Sequence, residues 1–203
     1  MVLRFSRALR TATAVALMTA CVGCSGGGGL FSSSAPTYDL TAPRGFPPGR
    51  GGRGQLIVAE PAALSIFDSE KIVVRPSYGE LGYLPSAQWV DRLPRLMQER
   101  LVQTFENANR LRAVGRSRDR LTADFQLVTD VRAFQISFAD GTAGEVEISA
   151  KIVSERGGRI LAARVFRTVV PAASSEGVAG ISALDEAFQR VAIDVVLWTA
   201  RLI

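Results

Sequence analysis

The chain has 203 residues, 47% of them hydrophobic and 21% charged, a balance that suits one folded domain able to bury about 70% of its unfolded surface without a disulfide or metal. It has no histidine, and its two cysteines, Cys21 and Cys24, lie near the start, which excludes His-dependent nucleophilic triads, His metal sites and Cys/His dyads. The net charge of +5 does not indicate nucleic acid, because about half of the excess sits at Arg4, Arg7 and Arg10, and no groove-reading helix, zinc finger or aromatic RNA platform is present.

Those three arginines precede an uncharged run over residues 11–20, shorter than the about 20 residues a membrane span needs, so residues 1–20 read as a signal peptide. Leu17-Met18-Thr19-Ala20-Cys21 resembles a bacterial lipobox, with cleavage leaving Cys21 as an acylated N-terminus and Cys24 as the alternative site. Each buried CH₂ of an acyl chain contributes about 0.8 kcal/mol, and one chain alone holds only reversibly, so a cysteine carrying two or three chains stays on its membrane. Val22 after Cys21 is not an aspartate, which resembles the outer-membrane sorting signal and points to the periplasmic side of the outer membrane. Residues 21–36, with Gly26 to Gly29 and Ser32 to Ser34, lack the apolar surface to fold and form a lipidated flexible tether of r.m.s. span about 20 Å.

The folded domain then occupies residues 37–203. Tyr38-Asp39-Leu40 is a short strand candidate, followed at residues 43–54 by a Pro/Gly/Arg-rich stretch that is neither helix nor central strand and reads as a solvated loop. Its Arg44, Arg50 and Arg53 are candidate contacts for anionic lipid headgroups. Leu56-Ile57-Val58 and Ile72-Val73-Val74 read as strands buried on both faces, with a helical turn over residues 62–67 between them. Residues 76–88 form an excursion whose Tyr78, Tyr83 and Leu84 are exposed-knob candidates. Trp89, Leu93, Leu96, Met97, Leu101, Phe105 and Ala108 then recur at helical spacing, with Asp91 as N-cap, Pro94 in the first turn and residues 86–90 as a lead-in turn.

Residues 111–115 read as a returning strand and 119–123 as a turn. From Phe125 the apolar residues fall at odd positions (Phe125, Leu127, Val131, Ala133) and then switch to even ones (Phe134, Ile136, Phe138), which predicts a bulge, a bend or a strand covered on both faces. Past the Asp140-Gly141 turn, Val146, Ile148, Ala150 and Ile152 share one face, while Glu145, Glu147, Ser149 and Lys151 share a wet one. Gly157-Gly158 turns the chain into a third antiparallel strand over residues 159–170, completing a meander. A last helix over residues 181–202 carries its stripe at Ile181, Leu184, Phe188, Val191, Val195, Trp198 and Leu202. Strands buried beneath two main helices make a layered α/β domain with a mixed β-sheet.

Ile72-Val73-Val74-Arg75-Pro76, Leu84-Pro85 and Ala87-Gln88-Trp89-Val90-Asp91-Arg92-Leu93-Pro94 resemble the ABC-type transport auxiliary lipoprotein family, bacterial lipoproteins associated with MCE-type lipid transport between the two membranes. The resemblance covers residue 38 to the C-terminus and implies an anticodon-binding-like α/β fold, an accessory, non-catalytic role, and an MCE-domain subunit of an ABC transporter as partner. A homo-oligomer fits such a bridging component. Tyr83, Trp89 and Arg92, in and beside the matching phrase, are the candidate partner-binding residues. No cofactor, metal or nucleic acid is implied. Two other functions fit the chain: a scaffold lipoprotein of another envelope assembly, and a carboxylate-based hydrolase built on Asp68, Glu70, Glu80 and Asp91.

Overall fold

The computed structural model of the chain describes residues 35–47, 49, 52–119, 121–174 and 177–203. Cys21, Cys24 and Arg50 lie outside the described residues. In chain order the strands are Thr37–Tyr38 (β1), Gln55–Val58 (β2), Ala62–Ala63 (β3), Lys71–Arg75 (β4), Gly82–Trp89 (β5), Ala113–Arg116 (β6), Phe125–Ser137 (β7), Ala143–Ser154 (β8) and Ile160–Pro171 (β9). Helix Leu93–Ala108 (α1) follows β5, and helix Gly177–Leu202 (α2) follows β9.

All nine strands belong to one mixed sheet organised around β7. One edge of β7 is covered along its length by antiparallel β8, which pairs in turn with β9. Its other edge is shared by three parallel strands in succession: β2 with Leu56 opposite Phe125, β3 with Ala62 opposite Asp130, and β4 with Val73 opposite Gln135. Two arms grow from there, β6 beside β2 and β5 then β1 beside β4. The β-branched runs of β2 and β4 are buried throughout, as strands between neighbours on both edges and under helices must be.

The parity switch in β7 is a bulge. Val131 pairs with Ile148 and Ala133 with Glu147, leaving Arg132 as the extra residue. Leu127 and Val131 before the bulge, and Phe134 and Ile136 after it, are therefore all buried on the face where β8 places Val146, Ile148, Ala150 and Ile152. Helix α2 lies on this face, burying Ile181, Leu184, Phe188, Val191 and Val195 of the expected stripe, plus a second row at Ala183, Ala187, Ala192 and Val196. Trp198 is half-buried and Leu202 exposed, so the stripe weakens at the helix end. The small residues of α2 allow unusually close approach: a Cβ built on Gly144 of β8 would lie 2.3 Å from the Leu184 backbone nitrogen. Gly157 and Gly158 make the β8–β9 turn with φ of +101° and +67°, a region glycine reaches without steric cost.

Three expectations are corrected. Residues 82–89 are strand β5, not an excursion ending in a lead-in turn; Pro85 is tolerated because β1 covers only Gln88 and Trp89, leaving the rest of that edge open. Ala62 and Ala63 form a two-residue strand, and only residues 64–68 turn, with the Phe67 and Asp68 N–H groups donating to the Leu64 carbonyl. Helix α1 starts at Leu93 with Arg92 at the N-cap position and Pro94 in the first turn; the Asp91 carboxylate instead accepts the Arg92 N–H at 2.7 Å and pairs with Arg95 at 3.2 Å. The helix closes on Asn109 in the left-handed region, whose N–H donates to the Phe105 and Glu106 carbonyls.

Candidate interaction surfaces

The described residues between 35 and 54 are the first surface to consider, because they lead from β1 into β2 across the ends of the helices. They are not a free loop. β1 is pinned beside the end of β5, where the Gln88 N–H donates to the Pro36 carbonyl at 3.1 Å and the Val90 N–H to the Tyr38 carbonyl at 2.8 Å. Leu40 is buried, Asp39 pairs with Arg100 of α1, and the Thr41 N–H donates to Asp185 of α2 at 2.7 Å. Farther on, Asn107 donates to the Pro43 carbonyl at 2.9 Å, Arg110 to the Pro47 carbonyl at 2.8 Å, and Gly52 to the Arg110 carbonyl at 2.6 Å. Side chains at the end of α1 thus satisfy the carbonyls of a segment too rich in Pro and Gly to pair with itself. For the described residues of 43–54 the solvated-loop expectation is corrected to a strap fastened along the end of α1, and Thr41 just before it reaches α2.

Of the candidate headgroup contacts, Arg44 is exposed near the Asn107 end of α1, and Arg53 is exposed at a different place. Arg53 lines a hollow of about 290 Å³ with Gly54, Asp124, Phe125, Ser154, Arg156 and Ile203. Asp124 within it accepts the Gln55 N–H at 3.2 Å and lies 3.7 Å from both Arg112 and Arg156, so one carboxylate offsets part of a basic surround.

Tyr83, Trp89 and Arg92 are not brought together. Tyr83 is 40% exposed at the start of β5, with the Lys71 ammonium 4.7 Å from its ring centroid. Trp89 is 1% exposed and meets Phe134 edge-on at 5.9 Å, so it is a core residue with no surface to offer a partner. Arg92 is exposed beyond the far end of β5, its guanidinium held by Asp68 and by Glu60 at 3.3 Å, contacts that raise its pKa, the Asp68 hydrogen bond most of all.

The four carboxylates behind the hydrolase reading do not converge. Asp68 belongs to the Arg92 cluster, Asp91 to the start of α1, and Glu80 accepts the Ser77 hydroxyl at 3.0 Å. Glu70 is exposed and contributes its carbonyl to the Trp89 N–H. Among the described residues no group of three or more acidic or thiol side chains is placed to hold a metal ion.

A partly buried ion pair joins α1 to β6. Arg116 donates to Glu99 through Nε at 3.0 Å and Nη2 at 2.6 Å, and this hydrogen bonding holds the Glu99 carboxyl below its ordinary pKa against the opposing effect of partial burial. A carboxylate depressed on folding stabilises above its unfolded pKa, and the benefit is lost as pH falls through the lower folded value. We expect Glu99→Gln to lower stability at neutral pH by less than about 1 kcal/mol, the pair being one-third exposed on the glutamate side, with wild type and variant converging in acid. Urea midpoints at neutral pH and below the carboxylate range check this.

The outer face of the β7–β8–β9 meander departs most from its sequence reading. Glu145, expected to be wet, is 9% exposed: it accepts a hydrogen bond from Gln135 at 2.9 Å and pairs with Arg167 at 2.8 Å. Arg132, the bulge residue, lies 3.6 Å from Glu147, and Lys151 lies 3.5 Å from Asp130. β9 also exposes Ile160, Leu161, Val165 and Val169, each by more than 40%, beside the charged Arg167.

A family model described as the ABC-type transport auxiliary lipoprotein component matches residues 38–196. A curated, uncharacterised protein of Bradyrhizobium diazoefficiens is 32% identical over 173 residues, 85% of this chain and 47% of that protein, so the chain spans about half the length of the curated relative it matches. A crystal structure of a Xanthomonas campestris protein is similar at TM-score 0.78 and 30% identity, covering 83% of this chain and 96% of that one. A hypothetical protein of Chlamydia trachomatis resembles it in fold alone, at TM-score 0.51 and 9% identity over 74% of this chain and 98% of the other.

Proposed function

The chain belongs to the ABC-type transport auxiliary lipoprotein family, and from that premise we propose that it is a non-catalytic accessory component of an MCE-type ABC lipid transporter, bridging to the transporter's periplasmic MCE-domain subunit. The observation that carries this reading is the extent of the family match, residues 38–196, which takes in the sheet, α1 and most of α2. Asp68, Glu80 and Asp91 each sit in ordinary surface interactions, which supports a protein that works by contact.

In this reading residues 1–20 are removed as a signal peptide, Cys21 carries the acyl chains, and residues 21–36 hold the folded domain of residues 37–203 at the periplasmic side of the outer membrane. Two or more chains at about 0.8 kcal/mol per CH₂ make the attachment persistent, and the basic Arg44 and Arg53 face solvent where anionic headgroups can reach them. The experiment is complementation of a deletion strain with wild type or Cys21→Ser. Wild type is expected in the membrane fraction and restores envelope lipid balance; the variant is expected to lose its acyl chains and membrane attachment and to restore little. A Cys21→Ser protein that stays acylated, or a detached one that complements fully, counts against the anchored role.

A further inference from the structure

We propose that the folded domain meets an anionic bilayer surface with one end, the end where β2 and β7 begin, β8 turns into β9 and α2 finishes. The inference rests on the anchored reading for its location and names the part of the fold that touches the headgroups.

The strand register gathers these elements. Leu56 of β2 lies opposite Phe125 of β7, Phe125 opposite Ser154 of β8, and Val153 opposite Ile160 of β9. Helix α2 ends here too, because Ile203 lines the same hollow as Arg53, Phe125, Ser154 and Arg156. Arg112, just before β6, joins them through its N–H, which donates to the Gly54 carbonyl at 3.2 Å.

This end is basic. Arg53, Arg112, Arg156, Arg159 and Arg201 are all exposed, and the acidic side chains on the same segments are Asp124 and Glu155. Asp124 lies 3.7 Å from each of Arg112 and Arg156, and among the described residues neither Arg53 nor Arg159 has an acidic partner. Glu106 and Arg110, at the neighbouring end of α1, offset each other in charge. At the opposite end of the strands the described residues reverse the balance: beside Arg75 stand Glu80 and Asp140. A surface of lipid phosphates therefore attracts the first end and not the second. Screening limits that attraction to a Debye length of about 8 Å, so the arginines act only in close contact.

Aliphatic side chains stand among these guanidiniums. Ile160 is 59%, Leu161 43% and Leu202 44% exposed. Inorganic phosphate would satisfy the arginines and leave the aliphatic side chains in water; a headgroup layer with acyl chains beneath it takes both, the arginine stems lying along apolar surface while their heads stay wet. The hollow of about 290 Å³ lined by Arg53, Arg156, Phe125 and Ile203 has room for one headgroup phosphate. Docked this way, the domain holds its other end, with Tyr78 77% exposed, roughly 35 Å from the bilayer, since β9 spans 12 residues at about 3.3 Å each.

The test uses the full lipidated chain, carrying Cys24→Ser to remove the other thiol, reconstituted into phosphatidylcholine vesicles with and without phosphatidylglycerol. An apolar fluorophore is placed at Ile160→Cys or at Tyr78→Cys, and a lipid with a nitroxide on its headgroup serves as quencher. With phosphatidylglycerol present, strong quenching is expected at position 160 and little at position 78; neutral vesicles or raised salt should abolish the difference. Each basic residue near such a surface contributes about five-fold, so Arg156→Ser with Arg159→Ser is expected to lower the docked-to-free ratio roughly twenty-fold, while the exposed positions leave the melting transition in place. Flotation with neutral vesicles reads the acyl anchor by itself. A chain that floats with both kinds of vesicle but is quenched equally at the two positions, or equally with and without phosphatidylglycerol, overturns the docking face and leaves the anchor standing, as does a double variant that behaves as wild type. A chain that floats only with phosphatidylglycerol overturns the anchor and supports the face, and one that floats with neither overturns both.

Discussion

Replacing Gly144 by alanine is expected to be among the most damaging single substitutions in the folded unit. A Cβ at this position would lie 2.3 Å from the Leu184 nitrogen, 2.4 Å from the Ala183 carbonyl carbon and 2.5 Å from the Leu184 Cα. These are backbone atoms of α2, so no rotamer change relieves the clash and the helix itself must move. Moving it separates Leu184 and Phe188, both fully buried, from the β7–β8 surface. Overpacking of this kind costs about 3 kcal/mol or more, and at this chain length lowers the melting temperature by roughly 6 to 12 °C. Gly82→Ala is the matched control, because its nearest neighbour would be Val74 Cγ2 at 3.8 Å and the loss of glycine's unfolded-state freedom is slightly favourable. Thermal and urea unfolding of both variants check the expectation; a Gly144→Ala protein as stable as Gly82→Ala contradicts the close helix–sheet packing.

Trp89→Ala is expected to lose a comparable or larger amount, about 3 to 5 kcal/mol, because a fully buried indole leaves a cavity its neighbours close only in part. The ring is the first of a series that crosses the core, meeting Phe134 of β7 edge-on, which in turn lies 6.1 Å from Phe188 of α2 at an interplanar angle of 52°. Trp89→Phe keeps the apolar contact and should cost much less. The experiment separates two roles that the sequence alone confuses. A docking residue, once removed, weakens partner capture and leaves unfolding unchanged; a core residue lowers the denaturation midpoint and weakens capture only as far as it depletes folded protein. The second pattern is expected.

The reason Trp89 looked like a helix residue is instructive. It stands four positions before Leu93, and so completes an i, i+4 stripe, yet it is the last residue of β5; strand end and helix start aim their apolar side chains into the same core. Much of the architecture was legible because burial imposes periodicity: the unbroken apolar runs of β2 and β4, the stripes of α1 and α2, and the parity change that marks the bulge at Arg132. What stayed hidden depends on contacts between distant residues. Pro85 argued against a strand, and only the open edge beside β5 permits one. Glu145 alternates correctly, but Gln135 and Arg167 from the two neighbouring strands close over it. The Pro/Gly strap reads as loose chain until Arg100, Asn107 and Arg110 of the α1 region are seen to hold it.

The same limit applies to function. A surface that binds a partner carries no periodic signature, so Arg92, with its guanidinium already engaged, and the exposed Tyr83 could be named from a phrase but not placed relative to one another. Exposed and buried valines of β9 are alike in sequence, and only the strand order distinguishes them.

Affinity capture of the full chain from detergent-solubilised envelope of its native host tests the central claim most directly. Mass spectrometry of the captured material is expected to recover an MCE-domain protein together with the permease and ATPase of one ABC transporter, at levels well above a capture made with an unrelated lipoprotein. Recovery of the chain with no transporter subunit, under conditions that keep the transporter itself intact, contradicts the account.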